Sequence, residues 1–65
     1  MARTKKALEV RLHTELTLSV EETAILLSYS RNHAYQAVKD GDLPSIRFGR
    51  AIRIPTAKLR EMLGV

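Results

Sequence analysis

Apolar residues in the middle of the chain recur at helical spacing, in two groups separated by a short polar corner. Val20, Ala24 and Leu27 stand at i, i+4 and i+7, with Ile25 and Leu26 widening the stripe. Ser19-Val20-Glu21-Glu22 has the S-x-x-E form of a capping box, in which serine and glutamate each satisfy an otherwise orphaned backbone amide. A helix over 20–27 is predicted. Ser30 is a second N-cap candidate, and Ala34, Ala37 and Val38 define a narrow inward face behind it. Gly41 supplies the left-handed residue that commonly closes a helix, so the second helix spans 31–40. Ser28-Tyr29 must then be a tight corner, the spacing of a helix-turn-helix.

Beyond Leu43-Pro44 the period changes to two. Ile46 and Phe48 alternate with Ser45 and Arg47, then Ile52 and Ile54 alternate with Arg53, which predicts a hairpin over 45–54 around Gly49-Arg50. If all these apolar residues share one face, Phe48 lies opposite Ile52 and Ile46 opposite Ile54, leaving Gly49-Arg50-Ala51 as the loop. That loop wants a left-handed last residue, for which Ala51 is poorly suited, so the turn geometry stays open. The same register sets Arg47 across from Arg53, a repulsion that a polyanion would relieve. Pro55 or Thr56 opens a last helix over 56–63, packing through Leu59, Met62 and Leu63 against the hairpin, with Gly64 past its end. For residues 1–15, Leu8, Leu12 and Leu16 fit a helix, while Leu8, Val10 and Leu12 equally fit a strand. The segment is expected to be a basic arm that orders on DNA or on a partner chain. The remainder, 16–65, is one domain, mainly α with a small β-hairpin wing.

Charge narrows the partners. The 65 residues carry a net charge of +4, and from 43 to 59 there is no acid while Arg47, Arg50, Arg53 and Lys58 fall inside the stretch. A basic balance of this kind favours nucleic acid, or less often an anionic membrane surface. No apolar run approaches the roughly 20 residues of a membrane helix, and no secretory h-region follows the basic first residues. There is no cysteine, which permits a reducing cytoplasm. His13 and His33 lack a third ligand of suitable type, so no metal is expected. No cofactor is expected either, because no Gly-rich phosphate loop precedes a helix. Tyr29 or Tyr35 as a recombinase nucleophile would need activating groups preorganised around a scissile phosphate, which so short a chain cannot build around a duplex. No enzymatic activity is expected.

The segments Leu18-Ser19-Val20-Glu21-Glu22-Thr23-Ala24, Ser30-Arg31 with Tyr35, Gly41-Asp42-Leu43-Pro44, Ile46-Arg47-Phe48-Gly49-Arg50 and Ile52-Arg53-Ile54-Pro55 together resemble the excisionase family of small DNA-binding domains. The winged helix of that family is similar to that of the mercury-resistance-type regulators. The resemblance covers about residues 16–65. It implies a winged helix-turn-helix whose second helix enters a major groove while the wing lies along a neighbouring minor groove or its phosphates. It also implies double-stranded attachment-site DNA, further copies bound cooperatively beside one another, a phage or mobile-element integrase, and a bacterial cytoplasm as setting. Where the family usually has Gly at the helix-helix corner this chain has Ser28, and Asn32 and His33 replace small hydroxyl residues common there.

With Ala34 pointing inward, Asn32, Gln36 and Lys39 point away at 100° per residue, with Tyr35 on the flank and Arg31 at the first turn. Asn32 and Gln36 suit base edges, since amides pair two-pronged with adenine; they are also ordinary solvated residues. Tyr35 is either a core edge or a phosphate contact. Ser30, Arg31 and Lys39, and on the wing Arg47, Gly49, Arg50 and Arg53, complete the expected DNA-binding set. Basic side chains on a hairpin also discourage aggregation, but three arginines without a nearby acid exceed what solubility asks. The expected role is a recombination directionality factor that binds and bends attachment-site DNA and directs an integrase toward excision. The same surface would serve a small transcriptional regulator, or, without DNA, a protein-interaction adaptor.

Overall fold

The computed structural model describes residues 4–65; Arg3, counted with the basic arm, lies outside the described residues. Four helices and three short strands follow in the order α1 (Lys5–Thr14), β1 (Thr17–Ser19), α2 (Val20–Leu27), α3 (Arg31–Asp40), β2 (Ile46–Phe48), β3 (Ala51–Pro55) and α4 (Thr56–Leu63). This is mainly helical with a small antiparallel sheet, a winged helix-turn-helix.

The local signals act as their chemistry requires. Ser19 accepts from the Glu22 amide at 3.0 Å while Glu22 accepts from the Ser19 amide at 3.0 Å, a complete capping box. Ser30 accepts from the His33 amide at 3.1 Å, and Gly41 closes α3 at φ +82°. Between α2 and α3 the left-handed position falls to Ser28 at φ 61°, the only non-glycine residue with positive φ among those described.

Residues 5–14, for which both periods fitted, are a helix capped by Thr4, whose hydroxyl accepts from the Ala7 amide. Leu8 and Leu12 enter the core with Leu18, Val20, Ala24, Leu26, Ala34, Ala37, Leu43, Ile54 and Leu59, whereas Leu16 is 89% exposed. Polar bonds fix the far end of α1. Arg11 donates to Glu15 at 2.7 Å and to Glu22, joining α1 to the capping box of α2. Arg60 of α4 donates to the Leu12 carbonyl at 2.8 Å, satisfying one of the acceptors that a helix end leaves open.

The sheet has the order β1-β3-β2, and its register corrects the expected one by a single residue. Ile46 pairs with Arg53, Arg47 with Ile52 and Phe48 with Ala51, so Arg47 and Arg53 do not face each other. The turn is the two residues Gly49-Arg50, with Gly49 at φ +60° and Arg50 not in the left-handed region, the pattern of a type II′ hairpin. It spares Ala51 the left-handed conformation that the three-residue loop demanded. The premise of one shared apolar face fails as well. Ile54 is fully buried opposite Leu18 and Ile52 is half-buried on its side, while Ile46 and Phe48 lie on the other face, 39% and 61% exposed. Two further expectations are corrected: Ile25 is exposed on α2, and in α4 only Leu59 packs fully, with Met62 and Leu63 exposed. The inner partner of Leu59 in α4 is Thr56, whose hydroxyl and amide both bond the Leu16 carbonyl. Thus α4 is held to the end of α1 as well as to β3.

Burial pushes the Glu22 carboxyl up, but the Ser19 amide and the Arg11 guanidinium bonded to it more than offset this and hold it below the usual carboxylate range. Glu15 is lowered by its hydrogen bond to Arg11. Groups with depressed folded pKa stabilise above the unfolded pKa and lose that contribution as pH falls through the carboxylate range. Arg11→Ala should therefore lower the urea midpoint near neutrality, and the deficit against the parent should shrink as pH drops below about 4.3, read by urea unfolding at several pH values. Ser28→Gly should raise stability by about 0.5 to 1 kcal/mol by relieving the left-handed strain, seen as a higher urea midpoint.

Candidate nucleic-acid interface

Helix α3 buries Ala34 and Ala37, small residues that let it lie close on α2, and turns Asn32, Gln36 and Lys39 to solvent. Gln36 donates from Nε2 to Asp40 Oδ1 at 2.9 Å. An amide nitrogen has two protons, so one donor and the carbonyl oxygen remain for a base edge, and Asp40 fixes the rotamer. Lys39 carries no ion pair among the described residues.

On one flank Tyr35 is half-buried against the core and its hydroxyl donates to Glu21 Oε2 at 3.0 Å. The Tyr35 ring thus packs at the edge of the core, and its hydroxyl is bonded to the Glu21 carboxylate of α2. Arg31 stands 3.4 Å from the same Glu21 oxygen and 5.6 Å from the Tyr35 ring centroid, so its guanidinium is tethered though largely exposed. At the opposite flank the rings of Tyr29 and His33 stack at 4.2 Å, 7° from parallel, across the corner. Lys5 of α1 donates to the Ser28 hydroxyl at 3.0 Å.

The wing presents Arg47 and Arg50 on exposed backbone around Gly49, with no carboxylate within ion-pair distance among the described residues. Arg53 is different. It is half-buried, donating from Nε to the Thr17 hydroxyl at 3.1 Å and from Nη2 to the Thr17 carbonyl at 3.4 Å, so it ties β3 to β1. Ser30 is exposed, with its hydroxyl already used as the cap of α3. The structure thus gathers Arg31, Asn32, Tyr35, Gln36 and Lys39 on one helix and Arg47 and Arg50 at one tip.

The roles of Glu21 and Lys5 escape sequence reasoning, because their partners lie 14 and 23 residues away. That of Asp40 was available as an i,i+4 pair with Gln36. Away from α3, an open groove of about 650 Å³ runs between α1 and the ends of α2 and α4, lined by Val10, Leu12, Leu27, Leu63 and Val65 among others. Among the described residues no group of three potential metal ligands occurs, and no helix is long and apolar enough to cross a membrane.

A corner of this kind, a solvent-facing second helix and a basic hairpin behind it define a class, and residues 17–64 match the family described as helix-turn-helix domain. The chain belongs to that family, and its fold is the one that the resemblance to excisionases implied. It is 37% identical over 51 residues to a protein named "Probable excisionase" from Saccharopolyspora erythraea, covering 78% of this chain and 52% of that one. It is also 37% identical over 46 residues to a protein named "Putative DNA-binding protein" from Mycobacterium tuberculosis, covering 71% of this chain and 59% of the relative. The chain thus spans little more than half the length of these relatives. No solved structure matches it significantly.

Tyr35→Phe should lower stability by about 0.5 to 1.5 kcal/mol through loss of the part-buried bond to Glu21, measured by urea unfolding; an unchanged midpoint would mean that water replaces the tyrosine hydroxyl at no cost.

Proposed function

We propose that this chain binds double-stranded DNA, with α3 in a major groove and the β2-β3 wing on a neighbouring minor groove or its phosphates. The observation that carries this reading is the solvent face of Asn32, Gln36 and Lys39, backed by buried Ala34 and Ala37 and followed by a wing whose Arg47 and Arg50 carry no ion pair among the described residues. Amides at the centre of an exposed helix offer two-pronged contacts to adenine, and unpaired guanidiniums attract phosphate without an internal rival. Ser30, Arg31, Tyr35 and Gly49 complete the contact set, and Arg53 adds charge from the sheet while holding Thr17.

The biological role we assign is that of a recombination directionality factor acting on DNA in a bacterial cytoplasm. It binds attachment sites as several adjacent copies, bends them and biases an integrase toward excision, with no catalysis of its own. The excisionase-like pattern of the capping box, the Gly41-Asp42-Leu43-Pro44 link and the wing and the Saccharopolyspora relative support this role. Stimulation of excision by a neighbouring integrase, assayed with purified components, tests it. DNA binding without stimulation, together with repression of a nearby promoter, would replace it with a transcriptional regulator.

Arg50→Ala should weaken binding to all duplexes alike and reduce the slope of log K against log salt by about 0.9. Asn32→Ala or Gln36→Ala should cost about 1 to 3 kcal/mol and relax preference at one base pair, read from competition against single-substitution duplexes. Unchanged preference in both amide variants would show that α3 is not the reading element.

A further inference from the structure

Phe48 is the largest apolar side chain that the wing leaves in water. It is 61% exposed on the residue just before the Gly49-Arg50 turn, and the sheet register turns it away from the core face that holds Leu18 and Ile54. Its cross-strand neighbour is Ala51, whose single methyl cannot cover a ring, and Ile46 extends the same face at 39% exposure. Stability of the free domain gives no reason for an aromatic ring here, where a polar strand former would suit the pleat. Arg50 follows it in the turn, Arg47 precedes it on the other face of the hairpin across from Ile52, and no acid occurs from 43 to 60.

We infer that Phe48 is a wedge that presses against a base step in the minor groove and bends the duplex. The inference rests on the duplex-binding reading above and adds to it a residue and a physical means of bending. Apolar side chains pushed between base pairs from the minor groove unstack the step and kink the helix toward the major groove. The basic tip supplies the complementary charge, because the phosphates bordering that groove attract Arg50 at the turn and Arg47 on the other face of the hairpin, and so carry the edge that bears the ring inward. The same charge argues against a second wing as the occupant, since two such tips would bring four guanidiniums together.

Duplexes carrying 2-aminopurine at successive steps report unstacking, and fluorophores on the two ends report bending by energy transfer. The parent chain should raise 2-aminopurine emission at one or two adjacent steps and shorten the end-to-end distance. Phe48→Ala should abolish both changes and bind about tenfold more weakly, the scale of one lost ring–base stack, with the salt slope unchanged because its charges are intact. Phe48→Leu should retain part of the bend. A thermal melt of Phe48→Ala matching the parent would separate the effect from unfolding. Equal emission and bending by parent and Phe48→Ala would overturn the inference, as would a bend left intact while self-association on DNA is lost, which would make Phe48 a contact between copies. If the parent chain binds no duplex at all, the DNA-binding reading fails and the wedge with it; binding without emission or bending defeats the wedge alone.

Discussion

The pairing of Leu18 with Ile54 is the constraint on which the arrangement depends. Both side chains are buried completely, and they join the outer strand β1 to the middle strand β3. β1 ends on Ser19, the N-cap of α2, and β3 ends on Pro55, the N-cap of α4. One ladder of three pairs therefore fixes where the helix-turn-helix begins, where the wing emerges and where the last helix turns back. Slipping it by one residue would send Ile54 to solvent and bring Arg53 into the core, so the register is strongly specified although the strands are short. The two-residue turn at Gly49 then sets β2 one residue out of step with these inward positions, so Ile46 and Phe48 share the outer face with Arg53 and Ala51.

A chain of this length has little core to spare, and α1 supplies a substantial part of it. Leu8 and Leu12 close one side of the cluster, while the Arg11 bonds to Glu22 and Glu15 set the helix against the capping box that starts α2. The cations that hold the fold together are thereby distinguished from those proposed to meet DNA. Arg11, Arg53 and Arg60 hold elements together, whereas Lys39, Arg47 and Arg50 carry no ion pair among the described residues.

Much of this was legible in the sequence because it rests on local chemistry. Ser19, Ser30 and Gly41 set the limits of α2 and α3, and the outward position of Asn32, Gln36 and Lys39 follows from the helical period once Ala34 is known to face inward. What escaped depends on long-range choice. Residues 5–14 satisfied two periods at once, and only the docking of Leu8 and Leu12 against Leu18 decides between them. β1 is three residues hidden in front of a capping box. The hairpin register misled because its apolar residues were assumed to serve one core, when the turn chemistry of Gly49 placed those of β2 on the opposite face. Arg53, counted as a phosphate contact from its charge, has a neutral partner in Thr17 that no spacing could reveal.

We propose that α3 and the wing tip meet DNA together, apart from the apolar groove between α1 and α4. Backbone amide shifts followed during titration with a duplex test that division directly. The predicted result is a contiguous set of changes over Asn32, Gln36, Lys39 and the stretch from Arg47 to Arg50, with Val10 and Leu63 unmoved. Changes centred on Val10 and Leu63, with α3 unmoved, would contradict it.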